Sequence, residues 1–144
     1  MNTYKAPYFI EFSRIGNSAV GYISVAETQK SVPFEIKRVF WIYCTPKELM
    51  RGHHAHYKTE QILIAVSGRI IVHTEMPDGK KHQYILEKAH IGIYLPPHCW
   101  HYMEYSHTAI QLVLASELYD EKDYIRDYKK YKEIYESTKQ RTDL

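Results

Sequence analysis

An all-β fold, a jelly-roll β-barrel finished by one C-terminal α-helix, is the prediction for this chain of 144 residues. Three features support it. Short β-branched and aromatic runs recur from about Tyr22 to Ala115, turn residues punctuate them at similar spacing, and no helical period intervenes. Many short strands with regular turns and no alternating helices build a sandwich or a barrel. Beyond Ala115 the period changes, because Tyr124, Tyr128, Tyr131 and Tyr135 follow at steps of four, three and four, which is one face of an α-helix.

Taken in order, "PFEIKRVFWIY" (Pro33–Tyr43) is β-branched and aromatic, and "QILIAV" (Gln61–Val66) is an apolar run ended by Ser67-Gly68. "RIIVHTE" runs into "MPDGKK", where Pro77 fixes φ and Gly79 accepts positive φ, so a turn is expected at Pro77-Asp78-Gly79. "HQYILE", "IGIYL", "CWHYMEY" and "TAIQLVLA" complete the strands. The helix is expected over about 120–137, with Asp120 as N-cap and Asp123 in the first turn. Its tyrosine stripe is expected to pack on the barrel or on a partner subunit.

Composition narrows the class. The length suits one domain, 1–144, with 44 % apolar and 25 % charged residues. A net charge of +2 with scattered basic residues argues for neither nucleic acid nor membrane. No signal peptide or membrane-spanning run is visible. Cys44 and Cys99 form no CxxC motif and read as reduced thiols, which implies the cytoplasm. The 14 tyrosines are rings with a polar tip, suited to a wet pocket or an interface.

The chemistry concentrates in "RGHHAHYKTEQ", Arg51 to Gln61. Side chains two apart on a strand share a face, so His54 and His56 point one way and His53 the other. Glu60 is placed to return to the same pocket, and "GIYLPPHCWHYMEY" brings His98 and His101 beside two prolines. His-x-His, a glutamate and a distant histidine after a proline turn is the ligand pattern of the cupins, small β-barrels of this strand count. The pattern is broken in places: Gly52 lies too close to His54, and the interval from Glu60 to Gly68 is one residue longer than usual. His98 stands where cupins carry glycine, and Tyr105 where asparagine is common. Two chemistries stay open. His54, His56, Glu60 and His101 can bind a divalent metal, or the imidazoles can form a metal-free acid–base pocket, since they titrate near physiological pH.

"PFEIKRVFWIY", "RGHHAHYKTEQ", "GIYLPPHCWHYM" and "VLASELYDEKDYIRDYKKY" together resemble the bacterial sugar 3,4-ketoisomerases of the WxcM-like cupin family, over about Ser24 to Tyr131. The resemblance implies an isomerase that converts a dTDP-linked 4-keto-6-deoxyglucose to its 3-keto isomer, on a route to 3-acetamido-3,6-dideoxyhexoses of surface polysaccharides. It implies no catalytic metal and no cofactor, a homodimer with exchanged N-terminal strands, and His54 and His56 as the acid–base residues. Arg38 and Arg51 are candidates for the diphosphate. Tyr43 and Trp100 are candidates to stack on thymine or sugar, His101 to line the pocket, and Glu60 to orient a histidine. Near the N-terminus Val20 stands where the family's Asp-x-Arg-Gly-like segment has arginine. Relatives fused to an acetyltransferase exist, so the resemblance also allows this chain to be one domain of a longer fusion protein. The competing readings are a metal-dependent cupin, either a dioxygenase or a metal isomerase, and a non-catalytic sugar-binding cupin.

Overall fold

The computed structural model describes the backbone of residues 4–142 and the side chains of residues 4–134 and 136. In chain order the strands are β1 (Tyr8–Glu11), β2 (Ile15–Asn17), β3 (Gly21–Ile23), β4 (Arg38–Ile42), β5 (Arg51–His56) and β6 (Gln61–Ser67). Then come β7 (Ile70–Glu75), β8 (Lys81–Leu86), β9 (Ile91–Leu95), β10 (Trp100–Tyr105), β11 (Ile110–Ala115) and β12 (Tyr124–Ile125), and α1 (Tyr128–Thr142) closes the chain. Two five-stranded antiparallel sheets, in the orders β1-β9-β6-β11-β4 and β12-β5-β10-β7-β8, face one another as a jelly roll, and β2-β3 stands apart as a hairpin.

Alternation along the strands sorts the cores. Leu63, Val72, Ile93, Leu95, Met103 and Val113 fill the space between the sheets. Ile62, Ile64, Tyr94 and Leu114 point the other way, where Phe12, Val32 and Phe34 cover them. That cover explains why β6 and β9 read as continuous apolar runs: both of their faces are buried. Only Arg38–Ile42 of the "PFEIKRVFWIY" run is strand, and the residues before it belong to the cover.

The helix departs from the reading over 120–137. Asp120 does cap, its carboxylate accepting from the Lys122 amide at 3.0 Å, but what it caps is a 3₁₀ turn, Glu121–Asp123. Tyr124 and Ile125 then pair with His56 and Ala55 at the sheet edge. A tertiary ladder outweighs local helix propensity here. α1 starts only after Asp127, whose carboxylate accepts from the amides of Lys129 (2.9 Å) and Lys130 (3.3 Å). Tyr124 therefore leaves the stripe, and Tyr135 lies outside the described side chains. Tyr131 packs with Ala55, Trp100 and Ile125, and its hydroxyl donates to the Glu75 carbonyl at 2.7 Å, with the His98 carbonyl 2.8 Å away.

Candidate active site

β5 carries the site through a bulge. His101 of β10 is opposite His54, but Tyr102 is opposite Gly52, so His53 is the extra residue. The backbone turns with φ of 102° at Gly52 and 58° at His53. An added Cβ at Gly52 would lie 2.9 Å from the His101 carbonyl oxygen, so only glycine fits this close approach. The bulge sends His53 outward, where it stacks on Tyr102 at 4.9 Å. His54 and His56 both face the space between the sheets.

There the imidazoles gather. The His54 ring centre lies 4.7 Å from His101 and 5.1 Å from His56, and Tyr124 leans over both at 5.1 and 4.4 Å. His54, His101 and Tyr124 border a cavity of about 350 Å³ whose wall also includes Gln61, Gln111, Arg51 and Arg126, with His56 packed beside His54. Burial first, then His101 and His56, push the His54 pKa down to about 2. Burial takes His101 down to about 4, against the hydrogen bond from its Nδ1 to the Cys99 carbonyl at 3.0 Å. His56 is also lowered, by burial and by His101, with Asp123 opposing. All three rings are neutral at pH 7, the form in which imidazole accepts a proton. Sequence reasoning places them near neutrality, and burial moves them below it.

Asp123 is the surprise. Its Oδ2 lies 3.1 Å from His56 Nδ1, and the carboxylate also accepts from the Lys58 amide (2.7 Å), the Thr59 amide (3.3 Å) and the Thr59 hydroxyl. Burial favours its neutral form, but those bonds together hold its pKa below the usual carboxylate value. Arg38 points between the sheets with its guanidinium over Phe40, and its buried Nε has no hydrogen-bond partner. Arg51 is exposed at the cavity wall. Arg126 lies over Tyr124 at 4.2 Å and forks onto Glu121 at 2.6 and 3.0 Å.

The family assignment rests on sequence as well as shape. The FdtA family profile (WxcM-like, C-terminal) matches residues 5–136. The chain belongs to the FdtA family. It is 41 % identical over 127 residues to the TDP-4-oxo-6-deoxy-α-D-glucose-3,4-oxoisomerase of Aneurinibacillus thermoaerophilus, covering 85 % of this chain and 88 % of the relative. A 3,4-ketoisomerase from Helicobacter canadensis superposes with a TM-score of 0.85 at 33 % identity, over 90 % of this chain and 97 % of its own. QdtA, a sugar 3,4-ketoisomerase from Thermoanaerobacterium thermosaccharolyticum in complex with TDP, gives 0.86 at 34 % identity, over 92 % and 96 %. A histidine-to-asparagine variant of QdtA holds TDP-4-keto-6-deoxyglucose.

Three expected site residues of this FdtA-family chain lie elsewhere. Glu60 faces the covered side of β6, accepting from the Tyr94 hydroxyl at 2.5 Å, and Gln61 takes the cavity wall in its place. Glu60 therefore orients no histidine. Trp100 packs under α1 with Tyr131, since its neighbour His101 takes the inner face. Tyr43 is 62 % exposed beside Cys44 and His107, away from the histidines. Among the described residues no three His, Cys, Asp or Glu groups are arranged to hold a metal ion. Gln61, Tyr124 and Arg126 on the wall, and Asp123 beside His56, are the site residues that the sequence motifs did not single out.

Proposed function

We propose that this protein is a sugar-nucleotide 3,4-ketoisomerase acting on a dTDP-linked 4-keto-6-deoxyglucose. The observation that carries the reading is the cluster of three imidazoles, His54, His56 and His101, at a cavity that His54 and His101 line in an FdtA-family jelly roll. The hydrogen at C-3 is acidified by the neighbouring C-4 carbonyl. A neutral imidazole takes that proton, the C–H electron pair becomes the C-3 to C-4 double bond, and the carbonyl oxygen takes a proton from the second imidazole to become the hydroxyl of an enediol. The C-3 hydroxyl then gives up its proton as C-3 becomes the ketone, and C-4 receives a proton. His54 and His56 are the acid–base residues in this scheme, and His101 lines the pocket. The negative charge that develops on the sugar stabilises imidazolium in a buried site, which offsets the lowered resting pKa values.

Arg38, Arg51 and Arg126 are the cationic groups near the cavity that suit the diphosphate. Incubation with dTDP-4-keto-6-deoxyglucose should yield the 3-keto isomer by NMR, and heavy water should place deuterium at C-4. dTDP alone should inhibit competitively, because the remote nucleotide supplies binding energy that positions the sugar. Turnover should survive exhaustive chelation. Loss of activity on chelation, restored by one metal, would favour the metal-dependent reading.

The working unit in this reading is a cytoplasmic homodimer that exchanges N-terminal strands, supplying 3-keto sugar for amination toward surface polysaccharide. Among the described residues hairpin β2–β3 pairs with no other strand, and Ile15, Val20 and Ile23 on it are exposed, Val20 at 81 %. Such apolar surface on a small domain suits an interface. Sedimentation should show two chains, and a monomer at micromolar concentration would contradict the dimer. Both cysteines are free, as a reducing compartment requires, and no described helix is long and apolar enough to cross a membrane.

A further inference from the structure

We propose that Asp123 is a positioning residue for this reaction: it holds His56 in the Nδ1–H tautomer, leaves the buried Nε2 as a lone pair, and supplies the negative charge against which His56 carries a second proton. The role rests on the ketoisomerase reading above, while the placement of the proton does not.

An ionised carboxylate only accepts hydrogen bonds, so the His56 nitrogen 3.1 Å from Asp123 Oδ2 must be the one that bears hydrogen. The other nitrogen, Nε2, is buried with no hydrogen-bond partner and is left as a lone pair. The carboxylate is itself fixed, since the amides of Lys58 and Thr59 and the Thr59 hydroxyl all donate to it. This is the arrangement by which one group sets the tautomer and direction of an imidazole acting at its far nitrogen.

The three imidazoles differ in this respect. His101 Nδ1 is fixed by the neutral Cys99 carbonyl, which sets a tautomer but offers no charge. His54 Nδ1 is buried with no partner. Around His56 the other groups are His54 on its own strand, His101 on β10, Arg38 on β4, the Tyr124 ring on β12 and His98, whose amide donates to the His56 carbonyl at 2.7 Å. His101 and Arg38 oppose a positive charge on His56, and Asp123 favours it. His56 is thus the imidazole of the cluster backed by an anion, and the one best able to keep a proton between the two halves of the isomerisation.

Long-range proton–nitrogen NMR of protein labelled with ¹⁵N-histidine reads the tautomer directly. Wild type should show His56 protonated at Nδ1, and Asp123→Asn should show a mixture, because a carboxamide can also donate. In the same variant kcat should fall on the order of 10²-fold with KM and dTDP affinity changed by only a few-fold, and the acid limb of the rate profile should move to lower pH. Thr59→Val loosens the same turn but keeps the carboxylate, so it should lose far less turnover and keep the wild-type tautomer. His56 found protonated at Nε2 in the wild type would overturn the proposal even if no variant folds. Equal losses in Asp123→Asn and Thr59→Val would also overturn it, leaving Asp123 a pin for the turn. Absence of wild-type turnover with a correct tautomer would instead count against the reaction and not against the placement.

Discussion

Replacing His54 or His56 with Asn is expected to lower turnover on the order of 10²–10⁴-fold, the usual contribution of a positioned acid–base group. Asn fills part of the imidazole volume and can still hydrogen-bond, but it cannot accept a proton near neutral pH. The fold and the affinity for dTDP should therefore persist, since the cationic groups suited to the diphosphate are arginines. His53→Asn is the internal control. It sits on the outer face against Tyr102, and its φ of 58° is one that Asn tolerates well. Full activity in both inner variants together with an inactive His53→Asn would show that the wrong face of β5 had been assigned to the chemistry.

The second large effect is expected from a residue with no side chain. Gly52→Ala puts a Cβ 2.9 Å from the His101 carbonyl oxygen and 3.0 Å from Tyr102 Cα, both of them backbone. Neither atom can swing aside, so β5 or β10 must shift. Strained φ at a non-glycine residue alone costs about 1–3 kcal/mol, and displacement of a catalytic group by an ångström costs on the order of 10²-fold in rate. Thermal unfolding and kcat measured on the same variant should both fall. Gly79 separates the two causes, because it also has positive φ (87°) but nothing lies within 4 Å of an added Cβ. Gly79→Ala should lose some stability and no catalysis. If Gly52→Ala behaves like Gly79→Ala, the bulge does not set the histidine geometry.

Much of this site is written in short-range pattern. Alternation alone separates His53 from His54 and His56, and the structure follows it despite the bulge. The same rule, applied evenly, excludes residues that spacing seemed to favour. Trp100 and His101 are adjacent on one strand and cannot both face inward. Arg38 and Tyr43 have opposite parity, and so do Glu60 and Gln61. What alternation cannot reveal is partnership across the chain. Asp123 sits in a segment whose local pattern reads as the first turn of a helix, and nothing nearby signals that residues 124 and 125 will add to a sheet edge beside His56. That outcome depends on tertiary pairing, which overrides local propensity. The two-sided burial of β6 and β9 has the same origin, since the segment that covers them lies far earlier in the chain.

The edge strand β12 also says when the site can exist during folding. The β7–β8 hairpin closes across one short turn, whereas Asp123 meets His56 across 67 positions of chain. Long loops are the slower ones to close, so contacts of this separation form after local ones. An intermediate that has paired β7 with β8 still holds His56 without its anion and without Tyr124 above it. Binding competence should therefore appear in refolding as a separate, later phase than the pairing of β7 with β8, and a nucleotide added early would meet a sandwich still open on one side.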